Sequence, residues 1–145
     1  ILSAQINHKV LIIGIDGCRQ DALNAANTPN INSLIANGTY SFDALTEAPT
    51  WSGVGWSGML TGVWRAKHGV SDNSFSGSRF DLYPHIYDAI ETYDSDKETA
   101  SIVHWGPINS NISPIFHTIC GIVTNVHTIV HMFMAYHFWG CNCAF

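Results

Sequence analysis

Charge is what this chain has least of. Asp, Glu, Lys and Arg together make up 12% of its 145 residues, about half the share usual in soluble domains. Only six are Lys or Arg, and the net charge is −5. That leaves no basic face and argues against nucleic-acid binding. After Glu98 all four charged types are missing from the remaining 47 residues. No internal repeat is present, and the 46% apolar share excludes a disordered chain. At this length one ordinary domain is the natural unit.

What is present falls into a regular order. "KVLIIGI", residues 9–15, is an unbroken apolar run ended by Asp-Gly. A run without alternation suits a strand covered on both faces, as in a parallel sheet. "DALNAAN" reads as a short helix. In "TPNINSLIANG", Thr28 is the expected N-cap, Pro29 the first helical residue and Gly38 the stop. Ile31, Leu34 and Ile35 share one face of that helix. "TYSFDAL" suits a second strand, Val54–Val63 a helix, "LYPHIYDAIETY" another helix with Ile86 and Ile90 four apart, and "TASIVHW" a further strand. Alternating strands and helices of these lengths predict an α/β domain with a parallel sheet. Residues 9–15 and 99–104 are expected to be parallel neighbours in it.

The stretch from Glu47 to Val70 holds three tryptophans, five glycines and four hydroxyl residues. In open α/β sheets the working crevice lies beyond the carboxyl ends of the strands. That rule selects Asp16, and with it the loop of Thr50 and Ser52 just before a helix. A helix start presents unpaired N–H groups and partial positive charge, which suit a phosphate or a developing alkoxide. Each feature also has a structural reading. Asp-Gly after a strand is commonly a turn, and Ser or Thr before a helix is commonly a cap. Trp51 and Trp56 read first as core residues and second as pocket walls.

Four motifs together resemble a known family: "LIIGIDGCRQDAL", "TPNINSLIANGTYS", "WSGVGWSGMLTGVWRAKHGVSDN" and "TASIVHWGPINS". In this order they are similar to the opening of a type I phosphodiesterase/nucleotide pyrophosphatase domain of the alkaline phosphatase superfamily. The resemblance covers roughly residues 9–110. It implies an αβα sandwich of alkaline phosphatase type around a parallel sheet, here truncated and followed by an atypical tail. It implies hydrolysis of a small phosphodiester or nucleotide substrate by a Ser or Thr nucleophile and two zinc ions. Residue by residue, Asp16 matches the metal-binding Asp after the first strand. Ser52 matches the nucleophile, which also touches metal, with Thr50 as the alternative two residues earlier. Asn73 matches an Asn that donates to a phosphate oxygen, and His68 falls in a structural turn. Gly53 and Gly55 would let the backbone approach the phosphate. "GVGWS" departs from the bulkier run that follows the family's nucleophile. The Cys-x-Pro-x-Arg motif of sulfatases is absent, whereas a phosphomonoesterase of the same superfamily remains an alternative.

The organisation expected is a leader or signal-peptide remnant in residues 1–8, the front of the catalytic domain in 9–113, and a tail in 114–145. "ILSAQ" supports the first, since it joins an apolar end to small residues, and it points to a secreted, periplasmic or extracellular setting. Asn37 and Asn111 head glycosylation sequons, relevant only in a eukaryotic secretory route. The tail has three readings. His127, His131, His137, Cys141 and Cys143 are metal-ligand types, though in no established zinc spacing. Residues 112–139 are long enough to span a membrane, but their histidines fit lipid poorly. The favoured reading is a stretch translated out of frame, which accounts for lost charge and enriched Cys and His together. No carboxylate follows Glu98 to complete a two-metal site. The chain as it stands is therefore expected to be an inactive version of a phosphodiesterase, and the competing class is a non-catalytic fragment or His/Cys-rich binding module.

Overall fold

A computed structural model describes residues 9–112. Among these residues the elements are five short α-helices and a π-helix: α1 (Gln20–Ala25), α2 (Pro29–Asn37), α3 (Ser52–Thr61), α4 (Arg65–His68), α5 (Ile86–Tyr93) and the π-helix Ile108–Ile112. The core gathers around α3. Val54, Trp56 and Leu60 on that helix meet Val70, Phe75, Tyr87, Ile108 and Ile112, all buried. Helix α3 holds Gly, Ser and Trp together because its neighbours come close. A Cβ on Gly53 would lie 2.6 Å from the Asp72 carbonyl oxygen, so only glycine admits the 72–73 loop.

The helix ends follow local chemistry. Thr28 is the N-cap of α2, with Pro29 at its first position and Gly38 as the C-cap. Thr28 makes no side-chain bond to the helix backbone, so Pro29 is the stronger start signal. α3 ends at Gly62 and α4 at Gly69, both with left-handed backbone (φ 69° and 80°) that favours glycine. His68 locks the second of these turns: its Nδ1 accepts from the Val70 N–H at 3.1 Å. α5 begins at His85, whose Nδ1 accepts from the Asp88 N–H at 3.3 Å.

The expected sheet does not form among the described residues. Ser101 is the single bridge residue there, and residues 9–15, 39–45 and the rest of 99–105 enter no ladder. The parallel pairing of 9–15 with 99–104 is not seen among the described residues. Residues 9–16 do keep the period of a strand. Ile12, Gly14 and Asp16 are partly covered, whereas Leu11, Ile13 and Ile15 are exposed. The run is therefore covered on one face, not two. Two helix faces also differ from expectation. Leu34 is 72% exposed while Ile31 and Ile35 are half-buried. In α5 the buried side chain is Tyr87, between Ile86 and Ile90. Residues 1–8, expected to be a leader or signal-peptide remnant, and residues 114–145, expected to be a tail, lie outside the described residues.

Candidate functional site

Ser52 is the first residue of α3, and Trp51, not Ser52, is the N-cap. No side chain caps this helix. Three hydroxyls sit along α3, and two are consumed by it. Ser57 Oγ donates to the Gly53 carbonyl at 2.6 Å, and Thr61 Oγ1 donates to the Ser57 carbonyl at 2.7 Å. Both are back-bonds of the kind that silence a hydroxyl inside a helix. Ser52 makes no such bond among the described residues and is half-buried. Thr50 lies outside the helix and is exposed.

Asn73 reaches the same helix start. Its Oδ1 accepts from the Gly53 N–H at 2.8 Å. The side-chain oxygen is thereby occupied, and the NH₂ is the group that remains to donate to an anion. The loop that presents Asn73 is held by its neighbour: the Asp72 carboxylate accepts from the Ser74 N–H at 2.8 Å and from Ser74 Oγ at 2.5 Å. Those bonds hold the Asp72 carboxyl below the usual carboxylate range. Gly53 thus makes room for this loop, and Gly55 opens toward Thr46 instead.

Asp16 is tied to α3 by a tryptophan. Trp56 Nε1–H donates to Asp16 Oδ2 at 3.3 Å. Trp56 stands four residues after Ser52, so the two share one helix face. Gly14 is required by this contact, because a Cβ there would overlap the Trp56 ring. Trp56 is 4% exposed and belongs to the core, as its first reading held. Trp51, at 49% exposed, does not. The sequence reading missed the Trp56 tie to Asp16. An indole four residues from a candidate nucleophile, with a small residue two before the candidate Asp, was the available signal.

His68 is fully buried and has a structural role, as read from the sequence. Burial foremost lowers the pKa of its imidazole, Glu47 opposes that shift, and Arg65 and Arg79 add to it. Among the described residues no group of three or more His, Cys, Asp or Glu side chains converges as a metal site. Asp16 is one carboxylate with one oxygen already engaged. The described residues do not by themselves fit a two-zinc centre. His127, His131, His137, Cys141 and Cys143 lie outside them. No helix among the described residues is long and apolar enough to cross a membrane.

A family model described as type I phosphodiesterase / nucleotide pyrophosphatase matches residues 10–142. The match runs past Ser113 and takes in most of the uncharged tail. No curated protein and no solved structure matches the chain. The chain belongs to the type I phosphodiesterase / nucleotide pyrophosphatase family.

Proposed function

We propose, from this family membership, that Ser52 is the nucleophile of a metal-dependent hydrolase of small phosphodiesters or pyrophosphates. The observation that carries the proposal is the free hydroxyl at the first residue of α3. The two other hydroxyls of that helix are bonded back into it, and the Asn73 amide stands at the adjacent residue. Ser52 Oγ bonds to phosphorus as the bond to the leaving alcohol breaks in line. The serine proton goes to solvent, and the leaving alkoxide takes one up. Water then cleaves the Ser–O–P ester and returns the serine. Asn73 donates to a non-bridging oxygen, and the helix start favours the growing negative charge. Members of the family are generally metal-dependent. Asp16 Oδ1, the oxygen not engaged by Trp56, is this chain's donor toward a divalent ion.

The test is turnover of a chromogenic phosphodiester by the full chain and by Ser52→Ala and Thr50→Ala variants, with zinc content measured on each. Ser52→Ala is expected to lower kcat by at least about 10³-fold, with Thr50→Ala close to wild type. Loss in Thr50→Ala alone would move the nucleophile. No turnover by a folded wild-type chain supplied with zinc would favour the non-catalytic alternative. A faster reaction on a monoester would favour the phosphomonoesterase.

A further inference from the structure

Helix α3 takes its cap from elsewhere in the chain. The N–H groups of a helix's first turn have no partner within the helix. The residue just before the helix usually supplies an acceptor. Here that residue is Trp51, whose indole can only donate. Asn73 replaces it by accepting from the Gly53 N–H. The start of α3 beside Ser52 is therefore set by the loop that carries Asn73.

That loop is closed at its base. The Arg79 N–H donates to the His68 carbonyl at 2.9 Å. Gly69 and Gly77 pass so closely that a Cβ on Gly69 would fall 2.1 Å from the Gly77 carbonyl oxygen. Residues 69–78 thus form a short Ω-type loop. Phe75 anchors it, buried, with its ring centroid 5.8 Å from that of Trp105. The φ of Phe75 is 59°, in the left-handed region that a bulky residue occupies only where its surroundings hold it there. Ser71, Asn73 and Ser74 are exposed, so packing does not fix the chain at Asn73. Hydrogen bonds do. The Asp72 carboxylate holds Ser74 by its N–H and its hydroxyl, and Ser74 Oγ in turn accepts from the Ser76 N–H at 3.2 Å. The two serines flank the strained Phe75. Asp72 is the one charged residue between His68 and Arg79, and bonds to a carboxylate are about twice as strong as neutral ones.

We propose that Asp72 is a positioning residue: its carboxylate fixes the loop in the arrangement in which Asn73 caps α3 and keeps its NH₂ for an oxygen of the phosphate attacked at Ser52. The proposal rests on Ser52 as the nucleophile. Asp72 acts through Asn73 and not on the substrate. The test is a double-mutant cycle on turnover of a chromogenic phosphodiester by the full chain, with rates expressed per folded molecule. Asn73→Ala is expected to lower kcat by about 10²- to 10³-fold, the range for losing one donor to developing charge. Asp72→Ala should lower it by about 10- to 100-fold, as for a displaced group, and should add nothing in the Asn73→Ala background. Asp72→Asn keeps an acceptor for the Ser74 N–H and should recover part of the loss. Ser74→Ala removes one of the two bonds and should fall between wild type and Asp72→Ala. An unchanged kcat in Asp72→Ala, an equal loss with and without Asn73, or no recovery in Asp72→Asn would overturn the proposal and leave Ser52 in place. If no diester turns over, hydrogen exchange at the Gly53 amide decides separately. Exchange faster by at least about tenfold in Asp72→Ala, and matched in Asn73→Ala, retains the clamp while the Ser52 reading fails. Exchange unchanged in Asp72→Ala overturns the clamp as well.

Discussion

Two faces of one short segment behave differently. In residues 9–16 the inward positions are Ile12, Gly14 and Asp16, and the outward ones are Leu11, Ile13 and Ile15. Ile12 packs against the core, Gly14 lies under the Trp56 ring, and Asp16 accepts from its indole. The outward three are 50–55% exposed. Both faces come from one apolar run, so composition does not separate them. What separates them is α3, which offers a partner to one face only. Each inward residue answers to a specific neighbour: a ring, a donor or a packed side chain. The outward face has no equivalent among the described residues, so its substitution should matter little there.

The largest effect expected from breaking the inward face is at Trp56. Trp56→Ala removes a buried indole from the centre of the core and should cost about 3–5 kcal/mol of stability. The measurement is the urea midpoint of the full chain. Trp56→Phe keeps a ring but deletes the N–H that holds Asp16. It should cost less in stability than the alanine variant and still lower turnover if Asp16 positioning serves the chemistry. A Trp56→Phe protein with full activity would show that the tie to Asp16 is only structural.

Next comes Gly14. An alanine there pushes its methyl into the Trp56 ring and should cost about 1–3 kcal/mol, the range for overpacking. The atoms it meets belong to the outer ring of the indole. Phe at position 56 does not extend so far. Gly14→Ala and Trp56→Phe should therefore couple, the double variant being more stable than the sum of the single losses. Additive losses would mean that the close approach of residues 14 and 56 is not what constrains this strand.

Much of this was legible in the sequence where the signal was local. Thr28, Pro29 and Gly38 bounded α2 because proline and cap residues act through their own backbone. Ser52 stands out as a candidate through motif order, since a helix start is a local feature that a motif can mark. The capping reading of Ser52 could not be set aside from sequence, because it depends on where three hydroxyls of one helix send their bonds. The Trp56–Asp16 bond joins residues 40 apart, and the Gly53 contact with the Asp72 carbonyl spans nearly half that distance. No periodicity encodes either. The parallel sheet was inferred from apolar runs, and runs do not name their neighbours. Residues 9–15 keep a strand's alternation of cover but enter no ladder among the described residues.

A smaller effect is expected from acid. His68 and His85 are both buried, and burial holds each imidazole below its usual pKa. At His85 the carboxylates of Asp88 and Glu91 oppose that shift without overcoming it. In both, Nδ1 accepts a backbone N–H, a bond that protonation at that nitrogen would break. The unfolded chain binds the proton more readily than the folded one. Stability is thus fully present above the unfolded histidine pKa and declines as pH falls below it. The urea midpoint should be lower at pH 5 than at pH 8. His68→Asn, with an oxygen acceptor and no proton to gain, should flatten part of that decline. A midpoint that rises on acidification would contradict burial of neutral imidazoles.

The smallest effect should come from the outward face. Ile13→Thr keeps the β-branched shape and adds a hydroxyl at a position 55% exposed. Its stability change should fall within about 0.5 kcal/mol, as for surface sites without special partners. Solubility should improve, because three exposed aliphatic side chains on an unpaired extended segment invite edge-to-edge association. The comparison sharpens if Ile12→Thr is measured beside it. Ile12 is one residue away, with the same side chain, but packs against the core, and a hydroxyl there is left without a partner. Ile12→Thr should cost well over 1 kcal/mol. Equal costs at 12 and 13 would mean that both faces are covered in the folded protein. The outward face would then have a partner from outside residues 9–112, as the two-sided strand first read from the sequence requires.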